Sequence, residues 1–231
     1  ISTTTFLLTL NNELSWLTDK VMYATWETIY MVLISTFLSY VFGLPLAIIL
    51  VITDKGHILE NVLINKVLGS IINAARSIPF IILLILVIPF TRAIVGTYIG
   101  TIASIVPLTL AAIPFVARLV ETSLKEIDPG LIEASLAMGA NNLQIIFKVL
   151  LPEAKPSIIL GVAITMINLV GYSAMAGILG GGGLGTLAYY YGYQRYQTDI
   201  LWTTVIVLIL IVQGIQVLGE QMARRIINKR R

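Results

Sequence analysis

The chain has 231 residues, of which 57% are hydrophobic and only 12% are charged. A typical soluble domain carries about 25% charged residues, so this composition excludes an ordinary soluble fold and favours a membrane protein. The absence of cysteine excludes disulfides and thiolate metal sites, and the single histidine excludes a histidine cluster. The net charge of +3 is modest and the basic residues are dispersed, so nucleic-acid binding is not indicated.

Apolar segments predict an all-α polytopic membrane protein with five transmembrane helices in a single domain, 1–231. In chain order the predicted spans are 29–52, 68–90, 95–116, 158–178 and 200–218. Each can cross a hydrocarbon core of about 30 Å. The segments are continuously apolar, whereas strands of a membrane β-barrel alternate, and backbone groups in lipid must be paired internally. Both facts favour helices over a barrel and over the core of a large soluble protein.

The lysines and arginines predict the orientation of these spans. With five spans, 12 of the 15 basic residues fall on one side of the membrane and only Lys20, Arg92 and Arg195 on the other. Since basic residues accumulate in cytoplasmic loops, the N-terminus is expected outside. The loop at 118–155 and the C-terminus are expected in the cytoplasm.

Helix signals are concentrated in this cytoplasmic loop. Asp128 and Pro129 are typical of an N-cap and a first helical residue, and Gly139 is typical of a helix end. Asn141 or the next residue can cap a second helix, which Pro152 is expected to end. The first helix spans about ten residues and is too short to be stable alone in water. A partner surface is therefore expected.

The loop carries a spaced motif. Glu133–Ser135 is followed by three residues and Gly139, and after nine more residues by Val149, one residue and Leu151–Pro152. This arrangement resembles the EAA loop of bacterial ABC-importer permeases, whose pattern is Glu-Ala-Ala, three residues, Gly, nine residues, Ile, one residue, Leu-Pro. The sequence departs from it at Ser135 and Val149, where the replacements are similar in size.

The wider sequence resembles the permeases of methionine ABC importers. The segments that carry this resemblance are Trp26–Thr28, Arg76–Leu84, Ile88–Arg92, Gly130–Ser135 and Leu169–Gly177. It implies a type I ABC-importer permease fold in the bacterial inner membrane, in a homodimer with two cytoplasmic ATPase subunits. It also implies a periplasmic or lipid-anchored methionine-binding protein. ATP and Mg²⁺ would be held by the ATPase, because this chain has no P-loop and is expected to be neither an enzyme nor a cofactor binder.

The motif and its neighbours are the predicted contacts with the ATPase. These residues are Leu131, Glu133, Ala134, Ser135, Met138, Gly139, Leu151 and Pro152. The helix they form is expected to dock in a cleft of the ATPase. Glu133 either pairs with a basic residue of the ATPase or only supports the helix N-terminus.

The residues that line the transport pathway are less clearly indicated by the sequence than the contacts with the ATPase. Asn168, Tyr172, Ser173 and Met175 in the fourth span are candidates for a pore or gate, with plain helix packing as the alternative. The glycine run at 180–185 predicts a flexible connection, or else a mobile external gate or receptor-docking segment.

Other classes of membrane protein fit less well. A membrane enzyme would carry ionisable residues converging near the spans, and a secondary transporter or channel would show acidic or broken-helix sites at mid-membrane. A permease for another polar solute remains the alternative within the favoured class.

Overall fold

The computed structural model describes residues 3–228, with side chains from residue 17 onward, and every element in it is helical. This confirms the all-α fold class. The helices are α1 (Thr3–Ile52), α2 (Val62–Arg76), α3 (Phe80–Leu86), α4 (Ile88–Val95), α5 (Thr101–Lys125), α6 (Pro129–Ala137), α7 (Asn142–Gln144), α8 (Leu151–Ile178), α9 (Gly183–Leu187) and α10 (Thr198–Asn228). Two π-helical segments, Ile145–Leu150 and Ala188–Gln194, lead into α8 and follow α9.

Four helical stretches are long and apolar enough to cross a membrane. They are Leu17–Ile52, Thr101–Lys125, Asn142–Ile178 and Thr198–Asn228. The helices α2 and α3 pass the same test together, although the chain bends by 99° between them. The described part of the chain therefore has four continuous candidate spans, or five if the bent pair counts as one broken span.

The first span is longer than predicted. The sequence predicts 29–52, but α1 begins at Thr3 and continues through Pro45 to Ile52. A helix of this length measures about 75 Å, well beyond the hydrocarbon core. Its early part contains polar residues that lower the hydropathy, yet Ala24 is buried in a small core with Leu184 and Leu187. Packing, rather than lipid, stabilises these turns.

The second span is not the continuous helix predicted at 68–90. The helix α2 ends at Arg76 and α3 begins at Phe80. Pro79 between them lacks an N–H and restrains Ile78 from helical geometry, which explains the break.

The third and fourth spans also differ from their predicted bounds. The third begins at Thr101 instead of 95, since Gly96 and Gly100 adopt positive φ, and it continues to Lys125 inside the predicted loop. The fourth was predicted to begin at 158. Instead the chain is helical from Asn142 to Ile178, so the prediction that Pro152 ends a helix is wrong.

The last span extends beyond the predicted 200–218. It reaches Asn228 and includes Arg224 and Arg225, whereas Lys229, Arg230 and Arg231 lie outside the described part of the chain.

Small residues allow the spans to approach one another closely. A Cβ on Gly43 in α1 would lie 2.9 Å from the carbonyl oxygen of Ile113 in α5. A Cβ on Gly219 in α10 would lie 2.5 Å from the Cβ of Ala163 in α8. Such contacts are the usual basis of helix association in lipid. The helix α8 also packs against α5, where a Cβ on Gly161 would lie 3.1 Å from Leu119. It therefore contacts both α5 and α10, with α6 at one end of the bundle and the glycine run at the other.

Candidate functional site

The short helix α6 forms as its sequence predicts. Asp128 accepts a hydrogen bond from the Gly130 N–H at 2.8 Å, and Pro129 is the first helical residue. The Ser135 hydroxyl donates to the Leu131 carbonyl at 2.7 Å. Gly139 follows the helix with a φ of 80°, a conformation that disfavours residues with a side chain. The helix is therefore capped and stopped locally.

Around α6 lies an exposed apolar surface, which we call the loop patch: Leu131, Leu136, Met138, Leu143 and Phe147. Their exposed fractions are 44%, 46%, 81%, 66% and 63%. Of the predicted coupling residues, Glu133, Ala134, Met138 and Gly139 are exposed, whereas Ser135 is buried and Leu151 and Pro152 are half-buried at the start of α8. The sequence interpretation missed Leu143 and Phe147, although their spacing places both on one side of a helix.

The loop patch is expected to lie outside the hydrocarbon. Phe147 and Ile178 are about 45 Å apart along one helical stretch, which is longer than a hydrocarbon core of about 30 Å. Charged residues follow Phe147 at its end of the stretch (Lys148, Glu153 and Lys155), whereas the segment 164–178 has none, so the Phe147 end is expected to project. Large exposed apolar side chains outside lipid are characteristic of a protein interface.

Near the same end, four charged residues form what we call the charge network: Asp54, Arg118, Glu121 and Lys125. The Lys125 ammonium lies 2.6 Å from Asp54 and 3.0 Å from Glu121, and the Arg118 guanidinium lies 2.6 Å from Glu121. Arg118 also donates to the Gly69 carbonyl at 2.9 Å, which reaches α2. The network therefore joins α1, α2 and α5.

Two titratable groups in the loop after α1 have shifted pKa values. The hydrogen bond from Lys125 holds the pKa of the Asp54 carboxyl below its ordinary value. Burial lowers the pKa of His57, because it disfavours the charged imidazolium.

At the opposite end of the bundle, residues 180–187 form what we call the strap. The Glu27 carboxylate accepts a hydrogen bond from the Gly183 N–H at 2.8 Å and another from the Thr101 hydroxyl at 2.5 Å. The Thr28 hydroxyl accepts from the Leu184 N–H at 2.9 Å. Side chains of α1 and α5 thus hold the strap in place.

The strap has no room for larger residues. A Cβ on Gly185 would lie 2.5 Å from the Cα of Ala174, and a Cβ on Gly177 would collide with the backbone of Thr186. Its glycines therefore serve close packing in this structure, and the flexible connection expected from the sequence stays a prediction. A gating or docking role for the strap stays a prediction.

The candidate pathway residues of α8 fall into two groups. Asn168 and Met175 are exposed on one side of the helix, which we call the α8 face: Ile164, Asn168, Gly171, Met175 and Ile178. Tyr172 lies beside this face and stacks on Phe80, with ring centroids 4.6 Å apart. Ser173 is only 2% exposed and donates to the Val170 carbonyl, so it packs inside the bundle in this structure, and its place in the pathway stays a prediction.

The α8 face carries an amide without a partner. Neither Asn168 nor the exposed Gln213 of α10 has a side-chain hydrogen bond within residues 17–228. An unpaired amide in lipid is costly, so these side chains are expected to face water or protein. The face is therefore suited to a water-filled pathway or to a second subunit.

Most of the chain resembles a known family of membrane proteins. Residues 43–231 match the family model of the binding-protein-dependent transport system inner membrane component. The chain is 52% identical to the probable D-methionine transport system permease protein MetI of Vibrio cholerae, over 90% of this chain and 92% of that protein. It is 45% identical to the methionine import system permease protein MetP of Bacillus subtilis, over 90% of this chain and 93% of that protein.

Solved structures agree with these matches. A chain of the MetNI methionine ABC transporter, in an inward-facing conformation, superposes with a TM-score of 0.89 at 48% identity, over 90% of this chain and 97% of that chain. A chain of an amino acid ABC transporter crystallised with histidines superposes with a TM-score of 0.76 at 17% identity, over 92% of this chain and 97% of that chain. At this identity the second likeness shows the fold alone.

Proposed function

Because this chain belongs to the family of binding-protein-dependent transport system inner membrane components, we propose that it is the permease subunit of an ATP-driven methionine importer. The observation that carries the proposal is its likeness to two methionine permeases from distant bacteria, over nine tenths of the chain. The EAA-like motif agrees with it, because that motif supplies the contact through which a separate ATPase drives the spans. The chain is a permease and not itself an enzyme.

The proposed assembly contains two copies of this permease and two cytoplasmic ATPase subunits, which bind ATP and Mg²⁺. The likeness to a chain of the MetNI transporter supports an ATPase partner. The unpaired amides of Asn168 and Gln213 support a second permease copy, because a dimer would cover them or enclose them in water. A periplasmic or lipid-anchored binding protein delivers methionine from outside.

In this proposal the ATPase docks on α6 and the loop patch. Leu131, Met138 and Phe147 supply apolar contact, and Glu133 and Ala134 are exposed beside them. Ser135 is turned inward, so it supports α6 rather than touching the partner. Leu151 and Pro152 join this surface to the span.

A continuous helix links the docking surface to the pathway. Residues from Asn142 to Ile178 form one helical stretch, with Phe147 at one end and Met175 near the other. Closure of the ATPase dimer would move α6 and tilt this stretch as a lever. Asn168 and Met175 would then move with it, and Met175 is suited to a gate because its flexible side chain can repack.

The orientation proposed from the basic residues is compatible with this mechanism. The charge network and the loop patch lie at the end that would face the cytoplasm, together with Arg224 and Arg225. The strap lies at the outer end, where a binding protein would dock. The N-terminus is then outside and the C-terminus inside.

Reconstitution tests the proposed function. The permease, its ATPase and its binding protein are placed in proteoliposomes, and uptake of radiolabelled methionine is measured with ATP at the ATPase side. We expect uptake that needs all three proteins and stops with an ATPase variant unable to hydrolyse ATP. Uptake of another polar solute without any of methionine would overturn the substrate and favour the alternative permease.

A further inference from the structure

A cavity of about 330 Å³ lies beside the strap, and we call it the strap cavity. It is enclosed by α3, α4, α5, the end of α8 and Tyr190, and its walls are mostly apolar. Ligand sites range from about 300 to 1,000 Å³, so this volume suits a molecule as small as an amino acid.

Thr91 gives the strap cavity a free polar group. It is only 3% exposed and lines the cavity, and its side chain has no hydrogen bond to any residue from 17 to 228. Two other hydroxyls in this range, those of Tyr40 and Thr109, lack a hydrogen-bond partner and are fully sealed from open space. The Thr91 hydroxyl differs from them because it is not sealed. The open space beside it is the cavity. A buried hydroxyl without a partner is costly unless something binds it.

A positive charge lies next to the strap cavity. The Arg92 guanidinium lies 4.8 Å from the ring centroid of Tyr98, and Tyr98 lines the cavity. The Tyr190 hydroxyl is held only by a long contact of 3.5 Å to the Ile178 carbonyl. The cavity therefore offers apolar walls, an inner hydroxyl and a hydroxyl-bearing rim with a cation beside it. These features suit a molecule with an apolar chain and a carboxylate.

The strap cavity adjoins the α8 face. Ile178 belongs to both, one helical turn beyond Met175. An occupant of the cavity would therefore lie next to the candidate pathway residues of α8. This position beside the candidate pathway favours a transported solute as the occupant.

We propose that the strap cavity is a transient binding site for the transported amino acid within the permease itself. The apolar side chain of the solute lies against Leu84, Ile88 and Ala103, and its carboxylate lies at the rim near Arg92 and Tyr98. The Thr91 hydroxyl hydrogen-bonds a polar atom of the solute. This inference rests on the proposed function for the identity of the solute.

Photolabelling of the assembled transporter tests this site. A methionine analogue with a diazirine in its side chain is added to the permease–ATPase complex in phosphatidylcholine nanodiscs, illuminated, and mapped on peptides by mass spectrometry. We expect labels on α3, α4 or α5 residues that line the cavity. Excess methionine should compete for them, and excess glutamate should not.

Three variants make the result specific. Ala103→Leu fills the cavity and should abolish the label there. Thr91→Val removes one hydrogen bond while keeping the shape, and should lower the label about threefold to tenfold at limiting analogue. Thr109→Val is the matched control: it is also a buried threonine without a partner, but it does not line the cavity, so its labelling should equal the wild type.

The outcomes separate this site from the transport function. Methionine uptake without any cavity label would overturn the site and leave the proposed function intact. Absence of methionine uptake would overturn the proposed function first. A label that survives Ala103→Leu, or equal loss in the two threonine variants, would also overturn the site. The site would also be overturned if native mass spectrometry found a phospholipid that the wild type retains and Ala103→Leu loses, while no cavity label forms. If Ala103→Leu fails to assemble, the two threonine variants decide.

Discussion

At the scale of single residues, two helical glycines have opposite surroundings. A Cβ on Gly185 in the strap would lie 2.5 Å from the Cα of Ala174, whereas a Cβ on Gly214 in α10 has no atom within 4 Å among the described neighbours. We expect Gly185→Ala to destabilise the permease by about 1–3 kcal/mol, because backbone must shift. Gly214→Ala should be neutral, or stabilise by up to about 1 kcal/mol through helix propensity. Thermal unfolding in detergent measures both. Equal melting temperatures would contradict the packing role of the strap.

Asp54 gives a pH-dependent prediction. Its ion pair with Lys125 measures 2.6 Å, and the pKa of Asp54 is lowered in the folded protein. A lowered carboxyl pKa means that the pair stabilises the fold above the unfolded value of about 4. This stabilisation is lost as the pH falls through the lower folded value. Because Asp54 is partly exposed, we expect Asp54→Asn to cost about 1 kcal/mol or less at pH 7.

The pH series itself is the test of that ion pair. Unfolding temperatures of the wild type and of Asp54→Asn are compared from pH 7 downward, with Asp19→Asn as a control carboxylate. The gap between Asp54→Asn and the wild type should begin to narrow near pH 4 and should close only below the lowered folded pKa of Asp54, where both side chains are neutral. A gap that stays constant to the lowest pH would show that the carboxylate charge contributes nothing.

Some of these residues could be predicted from the sequence and others could not. The cap at Asp128 and the stop at Gly139 depend on neighbours within a few positions, so the sequence predicts them correctly. The bond from Gly183 to Glu27 joins residues 156 positions apart, and nothing local marks Glu27 as the holder of the strap. The charge network and the strap cavity likewise depend on tertiary packing.

At the scale of elements, Gly139 is the joint between α6 and the long helical stretch. Its φ is 80°, but a Cβ there would meet no atom within 4 Å. The constraint is therefore conformational and not steric. We expect Gly139→Leu to abolish ATP-driven uptake without preventing membrane insertion, since most residues with a side chain pay about 1–2 kcal/mol in this region. Asparagine tolerates it better, so Gly139→Asn should retain part of the uptake.

Uptake and copurification together test the role of Gly139 between α6 and the helical stretch Asn142–Ile178. Both variants are assayed in proteoliposomes, and the amount of ATPase that copurifies with the permease is measured alongside. Equal loss of uptake in Gly139→Leu and Gly139→Asn would point to a need for glycine beyond its backbone conformation. Normal uptake by Gly139→Leu would overturn the role of this loop in coupling.

The loop patch makes a separate prediction about the ATPase contact. Leu143 and Phe147 are exposed and are expected outside the hydrocarbon, and burying such side chains in an interface contributes about 1–3 kcal/mol each. We expect Leu143→Ala or Phe147→Ala to weaken ATPase binding about tenfold, measured by interferometry with the purified subunits. Leu59→Ala is the matched control, because Leu59 is exposed at the same end but outside the patch. Equal effects of all three variants would exclude a specific docking surface.

The elements also show why span bounds are hard to predict. Hydropathy reports contact with lipid, but helices such as α1 and α5 continue into water wherever packing supports them. Proline is ambiguous for a related reason. Pro79 breaks a span, whereas Pro152 lies in the first turn of α8, after a π-helical segment, and the helix continues. The missing N–H is tolerated there because the first turn of α8 does not depend on it.

At the scale of the whole molecule, the two ends of the bundle differ in kind. One end exposes the loop patch and holds the charge network, and the other is closed by the strap, which Glu27 and Thr28 fix. The helical stretch Asn142–Ile178 joins the two ends. A force applied at the patch therefore reaches the strap cavity through one element rather than through a chain of loops. This arrangement depends on the ends lying on opposite sides of the membrane.

Cysteine labelling tests that orientation directly, because the chain has no cysteine of its own. Lys55 follows α1 at one end of the bundle, and Gln197 precedes α10 at the other end. Lys20 marks the Gln197 end on α1, because it donates to the hydroxyl of Tyr191, which lies just before Gln197 in the chain, at 2.6 Å. Lys20 and Ile52 are about 48 Å apart along α1, so the two positions lie beyond opposite faces of the core. In intact spheroplasts, a membrane-impermeant maleimide should label Gln197→Cys and should reach Lys55→Cys only after permeabilisation. The reverse pattern would place the loop patch outside, away from any cytoplasmic ATPase, and would overturn the proposed coupling.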